Sequence, residues 1–268
     1  MFKLINKQLI AKDVKRLDIT APLVAEKFQP GQFIMLGVSE HDEKIPITIF
    51  DVDTYRGSIG LIIKEQCPST KALGQLQIND TVASILGPLG NPATVKKVGT
   101  AAFVAVDMGI TQILPVCRAF KQVGNKKVVG IISTKTRKET ILEPQMRLAC
   151  QKLFMVTEDG SYERKGNAVN FLNDYLGREK VDLVYAAGPM EVLQRIAQVT
   201  KEKGIKTLVQ LNPVMLDGTG ICGSCRVVVN GQVRLACVDG PEFDAHKVDF
   251  DDLKLRAMIS EEEHRAAA

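Results

Sequence analysis

"TAAFVAVDMGITQILPVCRAFKQVG", residues 100–124, is the stretch on which the fold turns. Its first residues, through Val106, are small and branched apolar side chains without alternation, the pattern of a strand covered on both faces. From Ile110 the apolar residues recur at helical spacing. A buried strand feeding straight into a helix opens a strand–helix–strand unit, and the alternation continues downstream. "KKVVGIIST" (126–134) reads as a strand, "KETILEPQMRLAC" (138–150) as a helix and "KLFMVTED" (152–159) as a strand. "NAVNFLNDYLGRE" (167–179) is helical, "VDLVYAAG" (181–188) a strand, "MEVLQRIAQVTKEKG" (190–204) a helix and "TLVQL" (207–211) a final strand. This predicts a parallel sheet covered on both faces over residues 98–211, with any ligand at the carboxyl ends of its strands.

Working outward, residues 1–97 have a different texture. The runs "FKLI", "VKRLDI", "FIMLGV", "ITIFDV", "GSIGLIIK" and "TVASILG" are short and are separated by turn signals such as "QPGQ" and "YRGS". Strands this short and frequent predict a small β-barrel, closed by the turn-rich "GPLGNP" at 87–92. From residue 212 the chain is turn-rich and cysteine-bearing. "RVVVNGQVRLAC" (226–237) reads as a hairpin turning at Asn230-Gly231, and "FDDLKLRAMISEEEHR" (250–265) as a surface helix. A unit of this size holds little core of its own, so a metal staple is physically reasonable.

The chain of 268 residues is 45% hydrophobic and 25% charged, with a formal net charge of +4. Its lysines are scattered and not interleaved with aromatics, which argues against nucleic acid as a partner. The charged N-terminus is no signal peptide, and no apolar run is long enough to span a membrane. A cytoplasmic location is expected, where thiols stay reduced. Of six cysteines, Cys67, Cys117 and Cys150 are isolated and read as small buried hydrophobes. Cys222, Cys225 and Cys237 cluster around "LDGTGICGSC" (216–225). Plant-type iron–sulfur loops space their thiolates C-x4-C-x2-C. Asp217 occupies the first of those positions. A carboxylate can ligate iron, and its harder oxygen would change the cluster's potential. Zinc held by three cysteines and an acid, or an unmetallated thiol pair, are the competing readings.

A barrel containing "PGQF", an α/β unit, and a tail reading "LNPVMLDGTGICGSC" and then "LACVDGPEFDAHKVDFDDL" together resemble the ferredoxin-reductase-type flavoproteins. Within them the chain most resembles the FAD- and 2Fe-2S-bearing small subunits of NADH-dependent ferredoxin:NADP oxidoreductases. Electron-transfer subunits of dihydroorotate dehydrogenase and sulfide-dehydrogenase-like subunits are their relatives. The resemblance covers nearly the whole chain. It implies an FAD-binding barrel, a Rossmann-like domain and a small 2Fe-2S domain, with domains at 1–97, 98–211 and 212–268. It also implies cluster ligands Asp217, Cys222, Cys225 and Cys237, and a larger flavin- or iron–sulfur-bearing oxidoreductase subunit as partner in a hetero-oligomer, in the bifurcating enzymes and beyond.

Family barrels hold FAD with a cation and a hydroxyl on one strand. "KIPIT" supplies Lys44, Pro46 and Thr48, with lysine giving charge but not the bidentate fork of arginine. The second family segment opens a helix over the phosphates. Here it is "CPST", with Ser69 and Thr70 retained and Cys67 in place of glycine. Lys64, which ends "GSIGLIIK", is a further cofactor-binding candidate. The nicotinamide loop departs most. The family's Gly-Gly-Gly-x-Gly-x-Ala-Pro becomes "AVDMGITQILP", leaving Gly109 alone and placing Asp107 where it would repel a phosphate. "AAGPM" keeps the second loop through Gly188 and Pro189, a pair also adequate as a plain strand-to-helix turn. Two readings follow for NAD(H): it docks at the altered loop, or the chain is a relay fed from elsewhere. An alternative of another class is a non-catalytic assembly subunit that keeps the cluster and has lost FAD.

Overall fold

The computed structural model describes residues 2–40 and 43–267. In the N-terminal unit, strands β1 (Phe2–Ala11), β2 (Val14–Thr20), β3 (Phe33–Gly37), β4 (Ile45–Asp53), β5 (Ser58–Lys64), β6 (Thr81–Val82) and β7 (Ser84–Leu89) pair antiparallel in the order β6-β1-β2-β5-β4-β3-β7. The sheet curls into a nearly closed barrel. Short helices α1 (Pro22–Lys27) and α2 (Pro68–Gln75) plug its flanks. Side chains alternate across each strand. Ile34, Leu36, Ile49, Ile59 and Leu61 fill the barrel interior, while Phe33, Met35, Phe50 and Ile62 point outward into cores shared with the rest of the molecule. α2 is fastened where Lys15 Nζ meets Glu65 Oε1 at 2.7 Å and the Gly74 carbonyl at 2.9 Å.

The second unit runs β8 (Thr100–Val106), α3 (Gly109–Gln122), β9 (Lys127–Thr134), α4 (Glu143–Ala149), β10 (Lys152–Thr157), β11 (Arg164–Lys165), α5 (Ala168–Leu176), β12 (Leu183–Ala187), α6 (Met190–Glu202) and β13 (Lys206–Gln210). The tail adds the hairpin β14 (Arg226–Val229) and β15 (Gln232–Leu235), strand β16 (Glu242–Asp244) and helix α7 (Phe250–Ala267). The central sheet has the order β11-β10-β9-β8-β12-β13-β16. Its first six strands are parallel, and β16 is antiparallel to β13. Alternate residues of β8 feed two separate cores. Ala102 and Val104 face α5, α6 and the tail, and Phe103 and Ala105 face α3 and α4. This two-sided burial explains the unbroken apolar run in the sequence. The winding direction reverses between β8 and β12, so a crevice opens at their carboxyl ends.

Two expectations need correction. The helix expected over 138–150 spans only Glu143–Ala149, because Leu142 is left-handed (φ 55°) and Pro144 suits the first turn of a helix better than its interior. The tail packs into the body of the molecule. It donates β16 to the central sheet, and Cys225, Val227, Ala236, Cys237 and Phe250 join the core that contains Phe33 and Met35. No local pattern could announce β16, since its partner strand lies some thirty residues upstream. Cys117 and Cys150 are buried as expected, but Cys67 is exposed and caps α2. The hairpin is as read: Val229 pairs with Gln232 around Asn230 (φ 53°) and Gly231 (φ 72°), both in the left-handed conformation a two-residue turn requires. Among the described residues no helix is long and apolar enough to cross a membrane.

Candidate functional site

The barrel and the central sheet enclose a cleft of about 370 Å³. Pro46, Thr48, Lys64 and Thr70 reach it from the barrel side, and Gly109, Gly188 and Pro189 from the β8 and β12 ends. Seven cofactor-binding candidates from four segments therefore converge. Ser69 and Lys44 are not in the wall; Lys44 is exposed just before β4. Phe33, Gln66 and Asn212 also line it and were not among the candidates, although Phe33 belongs to "PGQF". Thr48 and Phe33 are cross-strand partners, so one hydroxyl and one ring share the cleft edge. Thr70 is already engaged. Its Oγ1 accepts from the amides of Gln66 (3.1 Å) and Cys67 (3.0 Å) and donates to the Cys67 carbonyl (3.0 Å), closing a capping box on α2. Its role is to fix the helix N-terminus at the cleft, a position that favours an anion. Across the interface, Arg118 Nη1 meets Asp51 Oδ1 at 3.0 Å and Gln210 Nε2 donates to the Gly31 carbonyl at 2.8 Å. These contacts hold the two walls together.

The β8–α3 turn forms the cleft's far end. Val106, Asp107, Met108 and Gly109 all line it. Asp107 is left-handed at φ 51°, a conformation that Asp tolerates better than most residues. The two retained glycines have a packing reason. A Cβ on Gly109 would lie 2.2 Å from the Ala187 carbonyl oxygen, and one on Gly188 (φ 150°) would lie 3.0 Å from Val106 Cβ. Here β8 and β12 approach too closely for any side chain, ligand or none. Burial pushes the Asp107 carboxyl above its ordinary range, Glu139 adds to the rise, and Lys64 and Lys135 oppose it.

The second candidate lies in the tail. Asp217 Oδ1 accepts from the Thr219 amide (2.5 Å) and hydroxyl (3.1 Å), and Oδ2 accepts from the Cys222 amide (2.8 Å). These donors, the Thr219 amide foremost, hold the carboxyl down to about 2. Cys225 Sγ and Cys237 Sγ are 3.3 Å apart, in contact but far beyond a disulfide bond of about 2.05 Å. Both are buried, whereas Cys222 is exposed beside Ser224, Sγ to Oγ 3.2 Å. Burial, and then Cys225, push the Cys237 thiol up to about 12. The loop therefore holds its candidate ligands as two halves: an Asp217–Cys222 half joined by a hydrogen bond and a Cys225–Cys237 half in sulfur contact. Among the described residues no group of three or more His, Cys, Asp or Glu side chains closes into a single metal-holding set. Three thiols and one ionised carboxylate nevertheless fit the four terminal ligands that an iron–sulfur cluster needs. Binding such a group through thiolates expels thiol protons.

Backbone freedom makes this loop possible. Gly218, Gly220 and Gly223 have φ of 75°, 88° and 71°. A Cβ on Gly218 would lie 2.5 Å from Met35 Cγ. The loop is thus pressed onto β3 of the barrel, two residues along from Phe33 in the cleft wall. Asn91 reinforces the contact, its amide donating to the Gly240 carbonyl at 2.6 Å and its Nδ2 to the Val238 carbonyl at 3.0 Å.

Comparison with known proteins bears on both sites. Residues 1–93 match the oxidoreductase FAD-binding domain, and residues 212–249 match the iron–sulfur cluster binding domain of dihydroorotate dehydrogenase B. An uncharacterized protein from the adh 3' region of Clostridium beijerinckii is 37% identical over 99% of this chain and 93% of its own length. A dihydroorotate dehydrogenase B (NAD(+)) electron transfer subunit homolog from Thermotoga maritima is 34% identical, over 97% of this chain and 92% of that protein. A chain in the structure of NADH-dependent reduced ferredoxin-NADP oxidoreductase, an enzyme of flavin-based electron bifurcation, superposes with a TM-score of 0.90 at 32% identity. That match covers 96% of this chain and 92% of the other. With an FAD-binding barrel, a Rossmann-like sheet and an iron–sulfur tail in this order, the chain belongs to the flavin- and iron–sulfur-bearing electron-transfer subunits of the dihydroorotate dehydrogenase B type.

Proposed function

We propose that this chain relays electrons between FAD, seated in the barrel-side cleft, and a 2Fe-2S cluster in the tail loop, within a hetero-oligomer whose larger oxidoreductase subunit is its partner. Pro46, Thr48 and Lys64 would hold the flavin at the cleft, with Thr70 fixing the α2 N-terminus beside it. Lys44 and Ser69, outside the cavity wall, would serve the phosphate end. Asp217, Cys222, Cys225 and Cys237 would hold the cluster. The bound groups supply the redox chemistry; the chain's residues position and tune them.

The observation that carries this reading is the shared wall. Phe33 lines the cleft, and Met35, on the same face of β3, bears on Gly218 of the cluster loop. Two residues of strand span about 7 Å, so the two sites are neighbours through one rigid element. Thr48 offers a hydroxyl at the cleft edge, and Lys64 a positive charge that favours an anionic ring or phosphate. The apolar ring of Phe33 and the side chains of Ile45 and Ile63 restrict water at the same edge. At the loop, the glycine-turned backbone brings amides toward the ligand set, and Asp217 enters already ionised. The altered β8–α3 turn favours a relay fed through the partner over one reduced directly by NAD(H).

Cofactor analysis of the isolated complex tests this. FAD released on denaturation, with iron and acid-labile sulfide in equal amounts, is the expected result. A colourless supernatant without flavin fluorescence would replace the relay with a non-catalytic assembly subunit. Zinc in place of iron and sulfide would overturn the cluster assignment.

A further inference from the structure

In a strand–turn–helix site, a dinucleotide's pyrophosphate rests on free backbone amides and glycine surfaces at the first turn. At the β8–α3 turn part of this is already spent. The Asp107 amide donates to the Ser133 carbonyl at 3.0 Å, so the donor nearest the strand end is spent inside the protein. The Thr111 amide and hydroxyl both go to the Met108 carbonyl, at 3.0 and 2.9 Å. Gly109, the one glycine left, faces the Ala187 carbonyl and is used for packing. What the turn presents to the cleft instead is the half-buried carboxyl of Asp107, with Glu139 and Glu158 within its electrostatic reach. Lys64 and Lys135 act on the same carboxyl with opposite sign, without outweighing burial and Glu139.

We infer that Asp107 is the residue that sets donor specificity at the cleft. Its side chain and its committed amide occupy the pyrophosphate position and refuse NADH and NADPH. The flavin site then exchanges electrons only with protein redox centres, which bring no phosphate there: one such centre is oxidised as FAD is reduced through the cluster loop, and a second is reduced as FAD is reoxidised. This rests on the relay reading above and deepens it. Asp107 is a specificity residue; it takes no part in the electron transfer.

The test compares the complex with its Asp107→Asn and Asp107→Gly variants. Asn removes the charge and keeps a side chain at home in the left-handed region; Gly removes both charge and bulk. NADH and NADPH binding is followed by calorimetry, and flavin bleaching by stopped flow. The wild type is expected to show no saturable binding at millimolar nucleotide and no bleaching before partner-driven reduction. Asp107→Asn is expected to bind NADH measurably and Asp107→Gly to bind it about tenfold or more tighter than Asp107→Asn, with bleaching to match. Saturable binding of either nucleotide by the wild type, or variants that gain nothing, would overturn the inference. The calorimetric arm needs no flavin, so absence of FAD would count against the relay reading alone, and wild-type nucleotide binding against the role of Asp107 alone.

Discussion

The cluster loop and the β8–α3 turn face the same backbone problem and solve it in opposite ways. Each makes a sharp left-handed bend beside a ligand position. The loop uses Gly218, Gly220 and Gly223, and its backbone lies hard against Met35 and Val238. The turn uses Asp107, which fills the space a glycine would leave open. Glycine at a left-handed position lets something else approach; a side chain there decides what may not. The first arrangement prepares the loop to wrap a cluster, and the second closes one end of a cleft that is otherwise built for a ligand.

The contrast breaks most decisively at the thiols. Cys225→Ser or Cys237→Ser is expected to abolish iron and acid-labile sulfide incorporation, checked by metal analysis and visible absorption, while FAD content holds. Loss of FAD together with iron would show that the two sites are not separately built. Next comes backbone crowding. Gly218→Val adds bulk where Met35 and Leu89 already stand and strains φ 75°, so it should lower stability by about 2–3 kcal/mol, read as a fall in unfolding midpoint with an emptied cluster. Asp107→Gly tests the opposite sense. Relieving a left-handed non-glycine residue is expected to change stability by about 1 kcal/mol or less, read from the same unfolding curve. Arg118→Ala removes a partly exposed bridge to Asp51 between the cleft walls and should cost about 0.5 kcal/mol.

The smallest effect is a pH dependence. His246 lies against Thr200, Nε2 to Oγ1 3.0 Å, and burial lowers its pKa from the usual 6.5, against the pull of Asp244 and with help from Lys201. The folded state prefers the neutral ring, so the unfolded chain binds more protons just below pH 6.5. Stability should therefore rise with pH through that window and decline as pH falls below it. His246→Gln should flatten this slope in denaturant titrations, without touching either cofactor.

Much of this was legible in the sequence because the determinants are local. The unbroken apolar run at 101–106 marked a strand buried on both faces, and Asn230-Gly231 marked a two-residue hairpin. The clustering of Cys222, Cys225 and Cys237 pointed to the tail that matches an iron–sulfur cluster binding domain. What could not be read depends on contacts between distant segments. β16 joins the central sheet only because the tail folds back across β13. The convergence of Thr48, Lys64 and Gly188 on one cleft depends on how the barrel docks. Gly109 and Gly188 looked like remnants of a nucleotide loop, and their packing against Ala187 and Val106 emerges only in three dimensions. Thr70 looked like a phosphate ligand by position; its hydroxyl turned out to be occupied by the helix cap.

The most direct test of the central claim is electron paramagnetic resonance of the reduced complex, wild type beside Asp217→Cys, on samples matched for about two iron and two sulfide per chain. The account expects a reduced 2Fe-2S signal in both, with a shifted spectrum and a shifted midpoint potential in the variant, because a hard oxygen ligand has been exchanged for a thiolate. Superimposable spectra and equal potentials at equal iron content would contradict it, leaving Asp217 as a loop cap and the fourth ligand elsewhere.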